Sequence, residues 1–274
     1  MRLQDKFLEL RRKGQGILAT NFYNFETLEG VILAAKMRNQ PIVLQLTRST
    51  VEYMGLPVAY QLAKSMLEHH DVQGWVHLDH GDSYDLVAQC LDIGFDSVMI
   101  DASEQSFKDN IEITTKVVKL AETYGANVEA ELGYIAKLGQ SKETSGFTTP
   151  EDAKAFVDAT GVNALAIAIG TAHGFYDKEP KLDLERLSNI AKVTDATLVL
   201  HGSSGIPDQS LRAAISRGIT KVNLATEIKN IFMRSLKTEL MTNDNIDLRK
   251  VFPKATDKVV GLVMRKLEVV NNNL

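Results

Sequence analysis

WVHLDHGDSYDLVAQCLDIGFDSVMID (75–101) holds two β-rich runs, WVHLD (75–79) and SVMID (97–101), separated by one helix-period pattern. Ser83 offers that helix an N-cap hydroxyl, and Gly94 offers its end a residue that accepts left-handed backbone. Strand, helix and strand within so short a stretch predict a βαβ unit, whose two strands run parallel. The same unit recurs in both directions along the chain. Further β-rich runs stand at GILATN (16–21), PIVLQL (41–46), NVEAEL (127–132), ALAIAI (164–169), TLVLHG (197–202) and KVNLAT (221–226). Between them lie helix-period stretches such as PVAYQLAKSMLEHH (57–70) and FKDNIEITTKVVKLAETYG (107–125), and Thr149, Pro150, Glu151 and Asp152 open another helix that Gly161 ends. The strand runs are nearly continuous in Val, Ile, Leu and Ala, which is the pattern of a parallel sheet covered on both faces. Eight such units predict an α/β fold of the (β/α)8 TIM-barrel type. A doubly wound open sheet is the competing arrangement; no GxGxxG follows the first strand to support it.

The chain has 274 residues, 44% hydrophobic and 24% charged, enough for one sizeable core, and no linker or low-complexity segment divides it. A single barrel domain over 1–274 is therefore expected. The final helical stretch, 226–240 and 248–270, is expected to cover the barrel outside or a partner subunit. Net charge is −4 and Lys and Arg are scattered, which argues against nucleic acid and anionic membranes as partners. MRLQDKFLELRRKGQG (1–16) mixes acids and bases where a signal peptide needs an apolar run, so a cytoplasmic location is the expectation. With Cys90 as the one cysteine, any metal must be held by His and carboxylates.

Three of the six histidines precede glycine at the ends of strand runs: His80, His173 and His201. A lone His there is ordinarily a hydrogen-bonded structural residue. Three from strands that curve round one face of a barrel instead suggest a catalytic Zn²⁺ site with one position open. His77 sits inside its strand and reads as core or as a supporting residue. Glu129 and Glu131 share parity, so both point toward the barrel interior. One of the two reads as a transient metal ligand and the other as a ligand-orienting partner, or they form an internal ion pair with a barrel lysine. Asp101 is a second orienting candidate. Asp79, one residue before His80, is placed for general acid–base work, or it anchors an imidazole. Asn21 and Thr47 end the first two strands as candidate substrate contacts. The loops HGSSGIP (201–207) and NLATEI (223–228) bring Gly202, Ser203, Ser204, Asn223, Ala225 and Thr226 to helix starts. With Gly174, they form a candidate phosphate cradle.

HLDHG (77–81), VMIDAS (98–103), VEAELG (128–133), AIGTAHG (168–174), LVLHGSSGIP (198–207) and KVNLATEIK (221–229) together resemble the class II, metal-dependent ketose-bisphosphate aldolases, nearest the tagatose/fructose-bisphosphate branch. The resemblance runs from about Asn21 to the end of the chain. It implies Zn²⁺ on His80, His173 and His201 with Glu131 as the mobile carboxylate, and Asp79 as acid/base at the C4 hydroxyl. It implies that Gly174, Gly202, Ser204, Asn223 and Thr226 hold the dihydroxyacetone phosphate half, Asn223 also touching the enediolate, and that a monovalent cation (Na⁺ or K⁺) binds near the phosphate. A tagatose or fructose 1,6-bisphosphate would yield dihydroxyacetone phosphate and glyceraldehyde 3-phosphate, in a homodimer or homotetramer. The metal would replace the Schiff-base lysine of the other aldolase class; no lysine ends the sixth strand run.

Two departures from the family pattern stand out. ELGYIAKLGQSKETSGFTTP (131–150) has Ala136-Lys137 where the family has a glycine pair, and Glu143 is the lone acid between Glu131 and Glu151, which makes it the candidate C3 proton carrier. For the second phosphate, DLRKVFPKATD (247–257) offers Arg249 or Lys254. The alternatives are an aldolase for another ketose 1-phosphate and a phosphosugar-binding accessory subunit with poor turnover. A barrel metal hydrolase would want an HxH pair on the first strand, which ILATN lacks.

Overall fold

The alternating β and α runs close on themselves. The computed structural model describes residues 1–133, the backbone of 136–137, 146–176 and 180–271. Its strands are β1 (Ile17–Asn21), β2 (Ile42–Thr47), β3 (Gly74–Gly81), β4 (Ser97–Ile100), β5 (Asn127–Leu132), β6 (Ala136–Lys137), β7 (Ala164–Ile167), β8 (Ala172–His173), β9 (Thr197–Leu200) and β10 (Ile219–Leu224). Eight of them form a closed barrel in the order β1-β10-β9-β7-β5-β4-β3-β2, every pair parallel. The two-residue strands β6 and β8 pair separately beyond the C-terminal rim. This is the (β/α)8 barrel.

Helices α2 (Phe25–Arg38), α3 (Arg48–Met54), α4 (Leu56–His70), α5 (Tyr84–Ile93), α6 (Phe107–Tyr124), α7 (Pro150–Thr160), α8 (Leu184–Val193), α9 (Asp208–Ile215), α10 (Thr226–Thr242) and α11 (Leu248–Asn271) fill the crossovers and the C-terminal segment. The expected caps form: Ser83 Oγ accepts from Leu86 N–H, Thr149 Oγ1 accepts from Asp152 N–H, and Gly94 and Gly161 are left-handed. The long α11 packs against α2 and β1, so it covers the barrel outside. Gly30 of α2 makes this approach possible, because a Cβ there would lie 2.8 Å from Val259.

Strand parity explains why the runs read as continuously apolar. Outward residues such as Leu18, Leu44, Val76 and Leu165 join the cluster beneath the helices. Inward residues Ile17, Ala19, Val43, Trp75, Ala164, Ala166 and Val199 form a second cluster with Leu3, Phe7 and Leu10 of α1 (Leu3–Lys13). Helix α1 thus plugs the N-terminal mouth of the barrel, a role that the charged look of residues 1–16 concealed. The next layer toward the C-terminal side is largely polar, with Gln45, His77, Ser97, Asn127, Glu129 and Lys221 all buried. The last inward positions face the C-terminal mouth.

Candidate active site

β3 supplies two neighbouring functional side chains, although alternation would send them to opposite faces. A bulge resolves the conflict. The β3–β4 register pairs Leu78 with Val98 but Gly81 with Ile100, three residues against two. His80 takes φ +51 at this bulge, left-handed backbone that costs a non-glycine residue roughly 1–2 kcal/mol. Asp79 and His80 consequently both line the mouth. The His-Gly dipeptide was the sole sequence trace of that turn.

His80, His173 and His201 converge from β3, β8 and the end of β9, their ligand nitrogens all within 4.8 Å of one another. His80 Nε2 lies 3.1 Å from His201 Nδ1. Two nitrogens on one tetrahedral Zn²⁺, each at about 2.0–2.1 Å, would be separated by roughly 3.3 Å. The outer nitrogens are held by carboxylates: His80 Nδ1 is 2.7 Å from Asp101 Oδ2, and His201 Nε2 is 2.8 Å from Glu129 Oε1. Ser103 fixes Asp101 in turn, its backbone N–H and hydroxyl both donating to Oδ1. Glu131 Oε2 is buried without a hydrogen-bond donor among the described residues and stands 3.7 Å from His201 Nδ1. A buried carboxylate oxygen without a donor, beside three converging imidazoles, fits a dication.

Burial and neighbouring charge set the protonation of the metal-free site. Burial, reinforced by the charge of Asp101, pushes Glu131 up to about 8. Burial would depress His80, but the charge of Asp79 and the hydrogen bond to Asp101 outweigh it and raise the imidazole to about 10. Burial, with the charge of His80 added, holds His201 well below the usual histidine range. Asp79 is held below the usual carboxylate range: burial opposes ionisation, and the charges of His80, His201 and Lys221 and the hydrogen bond from Asn21 overcome it. Three amides grip this carboxylate: Asn21 Nδ2 at 2.9 Å, Gln45 Nε2 at 3.2 Å and Asn223 Nδ2 at 3.3 Å.

Below the histidines, Lys221 Nζ stands 2.6 Å from Glu129 Oε2 and 3.4 Å from His77 Nε2, and His77 Nδ1 is 2.8 Å from Ser97 Oγ. Glu129 therefore serves both readings open in the sequence: it orients a histidine and it pairs with a barrel lysine. Gln45 and Lys221 went unrecognised in the sequence. Their signal was parity: each lies two residues before a strand-end candidate, Thr47 and Asn223, inside an otherwise apolar run.

The mouth is a cavity of about 720 Å³. Asn21, Thr47, Asp79, His80, Asp101, Glu131, His173, Gly174, His201, Gly202, Ser203, Ser204, Asn223, Ala225 and Thr226 line it. Glu129 sits behind His201, outside the lining, and Glu143 falls outside the described residues. Gly202, at φ +66, lets the loop after β9 pass close to the loop after β7; a Cβ there would lie 2.4 Å from the Ala172 carbonyl oxygen. Ser203 Oγ donates to the Asn223 carbonyl and ties the two cradle loops together. Arg249 and Lys254 are not on the cavity. Arg249 pairs with Asp247 and Lys254 with Glu239. The cation on the described lining, histidines apart, is Lys229 of α10, whose Nζ lies 5.3 Å from the centre of the Tyr23 ring.

Comparison with known proteins gives the same reading. Residues 1–273 match the family model described as fructose-bisphosphate aldolase class-II. The chain is 36% identical over 268 residues to the D-tagatose-1,6-bisphosphate aldolase subunit GatY of Klebsiella oxytoca, covering 96% of this chain and 94% of that protein. It is 33% identical over 294 residues to a fructose-bisphosphate aldolase of Helicobacter pylori, covering 97% and 96%. Among solved structures, the YdjI aldolase from Escherichia coli K12 superposes with a TM-score of 0.89 at 30% identity, over 99% of this chain and 97% of that one. With the closed barrel and its histidine-lined mouth, these matches establish that the chain belongs to the class II fructose-bisphosphate aldolase family and is an aldolase, a carbon–carbon lyase.

Proposed function

We propose that the chain is a zinc-dependent aldolase that reversibly cleaves a ketose 1,6-bisphosphate of the tagatose or fructose type into dihydroxyacetone phosphate and glyceraldehyde 3-phosphate. The observation that carries this reading is the convergence of three imidazoles beside a carboxylate gripped by three amides. His80, His173, His201 and Glu131 would hold the ion, which when bound supplies Lewis-acid stabilisation to the oxygens that gain charge as C3–C4 breaks. Asp79, kept ionised, takes the proton of the C4 hydroxyl; the C3–C4 electron pair stays with the three-carbon phosphate half, and the aldehyde leaves. Asn223 and Asn21 lie against Asp79 and align the substrate oxygens there. Protonation at C3 then completes the cycle, and Glu143 is the proposed donor.

One phosphate fits the cradle of Gly174, Gly202, Ser203, Ser204, Ala225 and Thr226, where a monovalent cation is also proposed. Among the described residues, Lys229, together with Ser49 and Thr47 on the same cavity, is the group available to a second phosphate. Exposed Met233, Leu240, Met241, Ile246 and Leu248 near the α10–α11 junction support assembly into a homodimer or homotetramer, and a cytoplasmic setting is part of the same reading. The test is a retro-aldol assay over ketose 1-phosphates and 1,6-bisphosphates, read by dihydroxyacetone phosphate release, alongside metal analysis. About one zinc per chain, lost together with activity in His173→Ala, is the expected result. Active protein devoid of metal would refute it.

A further inference from the structure

The cradle loops lead into α9 and α10, and each of these helices carries a carboxylate in its first turn: Asp208 and Glu227. Glu227 clamps the cradle from two directions. Its backbone N–H donates to Ser204 Oγ at 3.2 Å, and its carboxylate Oε1 accepts from Gly205 N–H at 2.6 Å. Because Ser204 Oγ already accepts a hydrogen bond, its own hydroxyl hydrogen is free to donate into the cavity that Ser204 lines. The clamp has an electrostatic drawback. A carboxylate at the cradle's edge repels the dianion the cradle is built to hold, and it offsets the positive end of the α10 dipole.

Lys266 of α11 supplies the countercharge. It is 3% exposed, although a lysine is seldom buried unless paired. Its Nζ lies 3.1 Å from Asp208 Oδ1 and 3.6 Å from Glu227 Oε1, so one ammonium bridges the starts of both helices. Asp208 has a second cation in Arg265, at 3.8 Å; among the described residues Glu227 has Lys266. We infer that Lys266 is a positioning residue for phosphate binding, which lets Glu227 fix the cradle loop without repelling the ligand. The inference rests on the cradle reading proposed above.

The probes are inorganic phosphate and dihydroxyacetone phosphate, titrated calorimetrically into the zinc-loaded, full-length protein, with KM and kcat measured in parallel. Lys266→Met should weaken phosphate binding and raise KM about tenfold while kcat stays within about twofold, the scale of one partly screened charge. Lys266→Arg should bind as the parent protein does. Glu227→Gln keeps an acceptor for Gly205 N–H while removing the charge, so phosphate binding should tighten severalfold, and adding it to Lys266→Met should restore most of the loss. This opposite response is one that a purely structural strut would not give, and Glu227→Gln reads it even if Lys266→Met does not fold. Parent-like binding in Lys266→Met, or weaker binding in Glu227→Gln, overturns the proposal. Ser204→Ala is the control on the cradle itself: if it leaves phosphate affinity unchanged, the cradle reading has failed, and the role of Lys266 falls with it.

Discussion

Lys221→Met removes a cation from the middle of the barrel. Lys221 is wholly buried, and its Nζ lies 2.6 Å from the equally buried Glu129 Oε2. The variant keeps most of the side-chain volume but leaves Glu129 as an interior charge without its lysine, with His201 Nε2 at 2.8 Å and His77 Nε2 at 3.8 Å as its remaining partners. Removing one member of a buried pair costs about 3–5 kcal/mol. A chain of 274 residues unfolds with an entropy near 0.6 kcal/mol/K, so the melting temperature should fall roughly 5–9 °C. Because Glu129 also holds His201, zinc affinity should drop as well. Thermal unfolding followed by circular dichroism, with and without chelator, measures the first effect, and a chelator competition measures the second. Adding Glu129→Gln neutralises the stranded charge yet preserves an acceptor for His201 Nε2–H, so the double variant should regain most of the lost stability. If the single variant melts with the parent protein, or if the double variant is no more stable than the single, the pair is not what holds the interior network.

Asp79→Ala should lower kcat by roughly 10²-fold or more with metal content unchanged, as expected of a general acid–base group; loss of zinc instead would make Asp79 an orienter of His80. Glu143→Ala should slow solvent-deuterium exchange at C3 of dihydroxyacetone phosphate while sparing metal and substrate binding, and exchange at the parent rate would assign the proton to another group. Zinc uptake should release protons. In the metal-free protein Glu131, raised to about 8, and His80, raised to about 10, both carry protons at neutral pH that a metal ligand must lose. Apparent zinc affinity should therefore climb with pH, about tenfold per unit for each proton released, most steeply below pH 8; uptake without proton release in a pH-stat would contradict these assignments.

The barrel was readable because its signals are local. Eight apolar runs, the caps at Ser83 and Thr149 and the glycine stops each occupy a few residues, and their spacing dictates parallel strands. The strand-end candidates were readable for the same reason, since the C-terminal ends of barrel strands share one mouth. Tertiary partnerships escaped. Nothing local says that Lys221 meets Glu129, 92 residues earlier, or that α1 fills the N-terminal mouth, because those contacts exist only once the barrel closes. Lys254 and Arg249 matched a motif by position, but each is taken by a neighbouring acid, whereas Lys229 ends the KVNLATEIK stretch and lines the cavity.

The layering of the barrel interior accounts for how a charged network persists there. Phe7 and Trp75, with Leu3 and Leu10, close the N-terminal side, so water does not reach Glu129, His77 and Lys221 from below. Polar groups in such a setting must satisfy one another, and the chain Ser97–His77–Lys221–Glu129–His201 does so through consecutive contacts of 2.6–3.4 Å. Its last member is the imidazole whose Nδ1 faces His80. Rotation of His201 would break the contact with Glu129 and leave an interior carboxylate short of a partner, a cost of about 1–3 kcal/mol or more for a charged acceptor. The buried middle layer thus locks the orientation of a candidate metal ligand, and at the mouth Asp101, itself held by Ser103, does the same for His80.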